Sequence, residues 1–124
     1  METRILHLVK RQDETFDYDD IVLVIRAVDV MDMDNSEVMS LFLKTMILGG
    51  MRKAIVDMEG LEFIDSSGIG VVIETAKLLR HGRGDLALMR VPERIQTIFQ
   101  PIKLNRFVRI FATEDEAVAF FRLV

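Results

Sequence analysis

The residues best suited to chemistry lie together at Asp65-Ser66-Ser67-Gly68-Ile69-Gly70. A carboxylate is followed by two hydroxyls and two glycines. Asp and Ser cap helices because a side-chain oxygen accepts from the first free backbone N–H groups. Ile69, Val72, Ile73, Ala76 and Leu79 then recur three and four apart, which predicts a helix with one inward face. Gly68 and Gly70 carry no side chain, so another molecule can approach that first turn closely. A capping serine can also be a modified one. The N–H groups and positive macrodipole end of a helix N-terminus favour an added anion, so a phosphoserine here is expected to fit without breaking the fold.

Other chemistry is poorly supported. Gly68-Ile69-Gly70 lacks the third Gly of a dinucleotide fingerprint, where Ile73 stands, and the lysine of a phosphate loop. Ser66 is outside a Gly-x-Ser-x-Gly elbow, because Ile64 holds the first Gly position. The two histidines are His7 and His81. His81 ends the helix that Ser66 begins, about 20 Å away at 1.5 Å per residue, so a Ser–His pair is not expected. The acidic run from Asp32 fails as a calcium loop: Glu37 stands where that loop needs Gly, and Leu43 where it needs Glu. Asp57 and Asp65 are the remaining carboxylate pair, and a structural or solvated role is the plainer reading. The expectation is therefore no catalytic residue, no metal and no cofactor.

These residues need elements to hold them. Short apolar runs predict strands at Arg4–Lys10, Ile21–Ile25, Ala54–Met58, Asp85–Met89 and Phe107–Ala112. The segment Gln12–Asp20 reads as a turn or a ragged strand, and Glu59-Gly60 as a turn. The run Ile21–Ile25 is continuous and β-branched, as in a strand buried on both faces. A helix is expected over Ser36–Leu48, ended by Gly49-Gly50. Val38, Leu41, Phe42 and Thr45 form one of its stripes, widened by Met39, Leu43, Met46 and Ile47. Such a helix is sandwiched in the core or lends a face to a partner, and core packing is the commoner case. Arg80-His81-Gly82-Arg83-Gly84 reads as a helix end, with basic residues for the dipole and Gly82 for a left-handed cap; a phosphate-binding cluster is the lesser reading. Pro92 opens a helix lined by Ile95, Ile98 and Phe99, and Pro101 stops it. Thr113-Glu114-Asp115-Glu116 is a capping box before a last helix to Leu123, with Ala117, Phe120 and Phe121 inward. Strands followed by helix–strand alternation predict an α/β fold with parallel pairs.

The totals bound the rest. A chain of 124 residues, half of them hydrophobic, suits one domain over 1–124. A net charge of −4 argues against nucleic acid as a partner. There is no cysteine, so thiol chemistry is excluded. No run of about 18 apolar residues or basic-then-apolar leader is visible, so the expectation is a cytoplasmic protein with no membrane partner.

Phe63-Ile64-Asp65-Ser66-Ser67-Gly68-Ile69-Gly70, after Val56-Asp57-Met58-Glu59-Gly60-Leu61, resembles the signature of STAS-domain anti-sigma factor antagonists. The resemblance continues through Gly82-Arg83-Gly84-Asp85-Leu86, Val91–Phe99 and Phe111–Ala117. It implies a small mixed sheet of about four or five strands with about four helices packed on it. It also implies a non-catalytic phospho-switch. By position Ser66 is the serine phosphorylated by a partner anti-sigma factor that is an ATP-dependent serine kinase, with Ser67 the second choice. A metal-dependent serine phosphatase would reverse the step. The unphosphorylated form would bind the kinase and free the sigma factor. The implied partner-binding set is Asp32, Asp65, Ser66, Ser67, Gly68, Ile69 and Gly70, on a monomer or weak dimer. One departure is Asp29-Val30-Met31-Asp32, where the family commonly has Gly-x-Leu-Asp. The alternatives are a scaffold subunit of a larger signalling complex and a divergent switch with a non-sigma partner.

Overall fold

A computed structural model describes residues 2–9 and 17–123. The order of elements is β1 (Glu2–His7), β2 (Ile21–Met31), α1 (Ser36–Leu48), β3 (Lys53–Ile64), α2 (Ser66–His81), β4 (Asp85–Met89), α3 (Glu93–Ile102), β5 (Arg109–Phe111) and α4 (Glu114–Arg122), with single 3-10 turns at Tyr18–Asp20 and Leu104–Arg106. The five strands form one mixed sheet in the order β1-β2-β3-β4-β5. β1 runs antiparallel to β2, and the other three pairs are parallel. The α/β reading with five strands and four helices therefore holds.

Alternation along the strands divides the core. Leu23, Ile25, Ala54, Val56, Leu86 and Leu88 pack with residues of α1, α2 and α3 on one face. Val22, Val24, Ile55, Ala87 and Met89 pack with Ala117 and Phe121 of α4 on the other. The run at 21–25 is thus buried on both sides, as its β-branched composition predicts.

Several boundaries move. β1 ends at His7, earlier than expected, and residues 10–16 lie outside the described residues, so the ragged-strand reading of Gln12–Asp20 is answered only at its 3-10 turn. Glu59-Gly60 is not a turn: β3 runs on to Ile64. Arg26 pairs with Asp57 but Met31 with Ile64, so residues 26–31 of β2 oppose residues 57–64 of β3. Two register shifts absorb the extra residues of β3, and Asp29 between them takes φ +61°, the left-handed region that favours glycine. This is the place where the related pattern has Gly. Two shifts restore the alternation that one would invert, and both Met31 and Ile64 are buried. Past Asp57, β3 outruns its pairing with β4, and Arg94 Nη2 of α3 donates to the Leu61 carbonyl at 2.8 Å.

Two helix faces differ from expectation. On α2 the buried set is Gly68, Val71, Val72, Thr75, Ala76 and Leu79, with Ile69 and Ile73 half-buried. α2 is covered by the sheet and also by α1, which rotates its buried arc past the simple stripe. On α1 only Ser36 and Leu43 are fully buried; Met39, Phe42, Met46 and Ile47 are half-buried, while Val38, Leu41 and Leu48 are exposed. The core-packing expectation is right for one side of α1 and wrong for the Val38–Leu41 stripe. Pro101 lies within the last turn of α3, which ends at Ile102, because a proline there loses only one bond near a helix end. The strand expected over Phe107–Ala112 shortens to Arg109–Phe111, because the N–H groups of Phe107 and Val108 donate back to the Leu104 carbonyl. On α4, Ala117 and Phe121 are fully buried, and Phe120 is half-buried against the same cluster.

Candidate functional site

The parallel register of β2 and β3 places their ends side by side. Met31 pairs with Ile64, so the turns that follow, at Asp32 and Asp65, are neighbours at the carboxyl ends of adjacent strands. The Asp65 N–H donates to the Met31 carbonyl at 3.0 Å, which ties the two turns together. Crevices at this end of parallel strands are where α/β sheets offer binding sites.

Asp65 caps the start of α2, and Asp32 closes the turn that leads into α1. Asp65 Oδ1 accepts from the N–H groups of Ser67 at 2.9 Å and Gly68 at 3.1 Å. Asp32 Oδ1 accepts from the N–H groups of Asp34 at 3.0 Å and Asn35 at 3.3 Å. Asn35 closes the second turn, accepting from the Asp32 N–H at 3.0 Å and donating to the Val30 carbonyl at 2.7 Å. The free oxygen of Asp65 joins the cap to that turn: Oδ2 accepts from the Met33 N–H at 3.1 Å. One carboxylate therefore caps α2 and holds the turn before α1.

Gly68 is where these parts meet. A Cβ there would lie 2.6 Å from the Met31 carbonyl oxygen and 2.7 Å from Ile64 Cγ1, so the glycine is required for the helix to start against β2. Gly70 is different. It is exposed, and a Cβ there would meet nothing within 4 Å. Ser66 and Gly70 are four residues apart and share the exposed side of the first turn. Ser66 is exposed, Ser67 half-buried, and Ile69 half-buried. All the sequence-predicted site residues thus gather at this one end of the sheet. Met33, 75% exposed and held by Asp65, joins them. The sequence offered no signal for it beyond its place in an Asp-rich turn.

The expectation that free N–H groups await an added anion needs correction. The donors of Ser67 and Gly68 are already taken by Asp65. A phosphate on Ser66 would stand beside the Asp65 carboxylate, next to the neighbouring turn that carries Asp32 and Asp34.

The other candidates disperse. Asp57 is buried, its Oδ2 3.6 Å from Arg90 Nη1 and its Oδ1 accepting from the Glu59 N–H at 3.1 Å, so it serves different neighbours from Asp65. No group of three or more His, Cys, Asp or Glu suited to a metal ion occurs among the described residues. No helix among them is long and apolar enough to cross a membrane.

The double role of Asp65 has a measurable consequence. Asp65→Ala removes a cap and is expected to cost about 1–2 kcal/mol. Asp65→Asn keeps a capping oxygen but turns an NH2 group toward the Met33 N–H, so two donors face each other. It is expected to cost less than Asp65→Ala while hydrogen exchange at the Met33 amide rises and α2 stays protected. Unchanged exchange at Met33 would show that the tether does not hold the turn.

Residues 3–117 match the family model described as the STAS domain. The chain is 30% identical over 107 residues to the candidate anti-sigma factor antagonist BtrV of Bordetella bronchiseptica, covering 85% of this chain and 90% of that one. The fold is also similar to the solved structure of the anti-sigma factor antagonist SpoIIAA in its unphosphorylated form, with a TM-score of 0.72, 28% identity, and 83% and 90% of the two chains covered. The phosphorylated form of SpoIIAA from Bacillus matches with a TM-score of 0.64 and 27% identity over 86% and 95% of the two chains. With a five-stranded mixed sheet carrying four helices, and a match that runs over nearly the whole sequence, the chain belongs to the STAS domain family.

Proposed function

We propose that this protein is an anti-sigma factor antagonist switched by phosphorylation of Ser66. The unphosphorylated surface binds an anti-sigma factor that is a serine kinase and so releases a sigma factor. Phosphate on Ser66 prevents that binding, and a serine phosphatase restores it. The chain acts by binding, with no catalytic group of its own. Relatives named as anti-sigma factor antagonists, and the existence of SpoIIAA in phosphorylated and unphosphorylated forms, support the reading.

Gly70 carries it from this chain's own geometry. Glycine inside a helix costs about 1 kcal/mol relative to alanine. At Gly68 a close contact explains that cost, but at Gly70 the space around a Cβ is empty. The fold gives no reason for glycine there, whereas a partner backbone resting on the first turn beside Ser66 does. Gly70→Ala is therefore expected to raise stability by about 0.5–1 kcal/mol in urea unfolding while weakening partner binding. A stabilised variant with unchanged binding would remove Gly70 from the contact.

The reading is tested with paired baits, Ser66→Ala and Ser66→Asp, on host lysate. A serine kinase retained by the Ala form, lost from the Asp form and able to place phosphate on Ser66 of the wild-type chain with ATP is the expected result. Identical partners on both baits would remove Ser66 from the mechanism and favour a scaffold subunit.

A further inference from the structure

Arg80, near the far end of α2, stands roughly 21 Å from Ser66 by helix rise. It borders a cleft of about 560 Å³ at the amino ends of β4 and β5, lined by Arg80, Asp85, Asn105, Arg106, Arg109 and Phe111 among others. Three guanidinium groups face one carboxylate in a chain whose net charge is −4. Two of the three are held in place. Arg80 Nε donates to Asp85 Oδ1 at 2.9 Å, while the same oxygen accepts from the Leu86 N–H at 2.8 Å. The Arg109 guanidinium carbon lies 5.0 Å from the centre of the Phe120 ring, which is itself packed against Phe111. Neither the Arg106 nor the Arg109 side chain has a hydrogen bond or ion pair with another described residue.

We propose that this cleft binds a small polyanion bearing two adjacent phosphate or carboxylate groups. A guanidinium presents a planar fork of donors that matches such groups in pairs. The Nε of Arg80 is spent on Asp85, which leaves its terminal Nη groups for a ligand. One carboxylate against three cations leaves the cleft two positive charges, which suits two anionic groups better than one. A volume of about 560 Å³ is in the range of small-molecule sites. Phe111 and the stacked Arg109 give one wall a rigid apolar edge. The placement is separate from Ser66, so a ligand here need not compete with the partner.

The probe is inorganic pyrophosphate, titrated calorimetrically at low salt and followed by NMR of the arginine Nε–H signals. Saturable one-to-one binding is expected, with shifts confined to Arg80, Arg106 and Arg109. Arg106→Gln/Arg109→Gln together are expected to weaken it at least tenfold with the circular dichroism spectrum unchanged. Lys77→Gln, exposed on the outer side of α2, is the matched loss of one charge and is expected to bind as wild type. Absence of saturable binding, equal shifts at all arginines, or a double variant that binds as tightly as wild type would each overturn the proposal.

Discussion

Gly84→Ala is expected to destabilise this protein by about 3 kcal/mol or more. A Cβ on Gly84 would lie 1.8 Å from the Arg52 carbonyl oxygen and 2.6 Å from its carbonyl carbon. Both are backbone atoms, so no side chain can swing away. Relief requires the turn after α2 to part from the start of β3. That movement breaks the bond from the Asp85 N–H to the Arg52 carbonyl at 3.0 Å. Its loss opens the β3–β4 pairing, which begins with Lys53 opposite Asp85. Overpacking alone costs about 1–3 kcal/mol, and each buried backbone group left unpaired adds roughly 1–3 kcal/mol. Gly82→Ala is the control. Its Cβ would lie 3.6 Å from the Leu79 carbonyl oxygen, an ordinary contact, and a change within about 0.5 kcal/mol is expected. Urea unfolding of the two variants separates the cases. Equal stability would mean that the close approach at Gly84 does not exist in solution.

The same turn shows where the sequence stops being legible. Basic residues followed by glycines correctly mark a helix end, and Gly82 is the natural choice for the left-handed position. In the structure Gly82 has φ −89° and Arg83 takes φ +68°. The Arg83 N–H then donates to the Arg80 carbonyl and the Gly84 N–H to the Leu79 carbonyl, the paired bonds of a Schellman ending with arginine where glycine usually sits. The glycine is needed one residue later, for a contact with Arg52 more than thirty positions earlier in the chain. Local pattern carries the type of an element and its caps, as at Thr113, whose side chain accepts from the Glu116 N–H as the capping box predicts. It does not carry a backbone clash between distant segments.

The candidate site divides along the same line. Asp65 as a cap, Ser66 as an addressable hydroxyl and glycines near the helix start follow from residue type and spacing. The reach of Asp65 Oδ2 to Met33 does not, because it depends on the register that sets Met31 beside Ile64. That register depends in turn on two shifts and a left-handed Asp29, inside a stretch that reads as a turn at Glu59-Gly60. The bulges are a property of the pair of strands, and neither strand signals them alone. The two glycines of the turn look alike in sequence, and only packing separates Gly68, which is obligatory for the fold, from Gly70, which is not.

Phosphate on Ser66 is expected to lower affinity for the proposed kinase partner by about two decades or more, with almost no change in fold. Phosphoserine carries about −1.5 to −2 charges at neutral pH. With one partner carboxylate about 5 Å away and an effective dielectric near 20, each unit charge pair costs roughly 3 kcal/mol, or about two decades in affinity. The bulk of the group adds to this, because Gly70 on the same side of the turn leaves room for a closely fitted partner and a phosphate fills it. The fold itself is shielded. Ser66 is exposed, and the cap that sets the start of α2 is made by Asp65 and not by the serine. The same cap limits how far α2 can neutralise the new charge, since its next two N–H groups are already bound. The phosphate therefore keeps most of its field for whatever approaches. Amide shifts on phosphorylation are expected to centre on the turns at Asp32–Asn35 and Asp65–Gly70, passing between them through the Met33 tether. Shifts spread through the buried strands would instead mean that the switch works by refolding, and equal partner affinity for both forms would mean that Ser66 is not the switch.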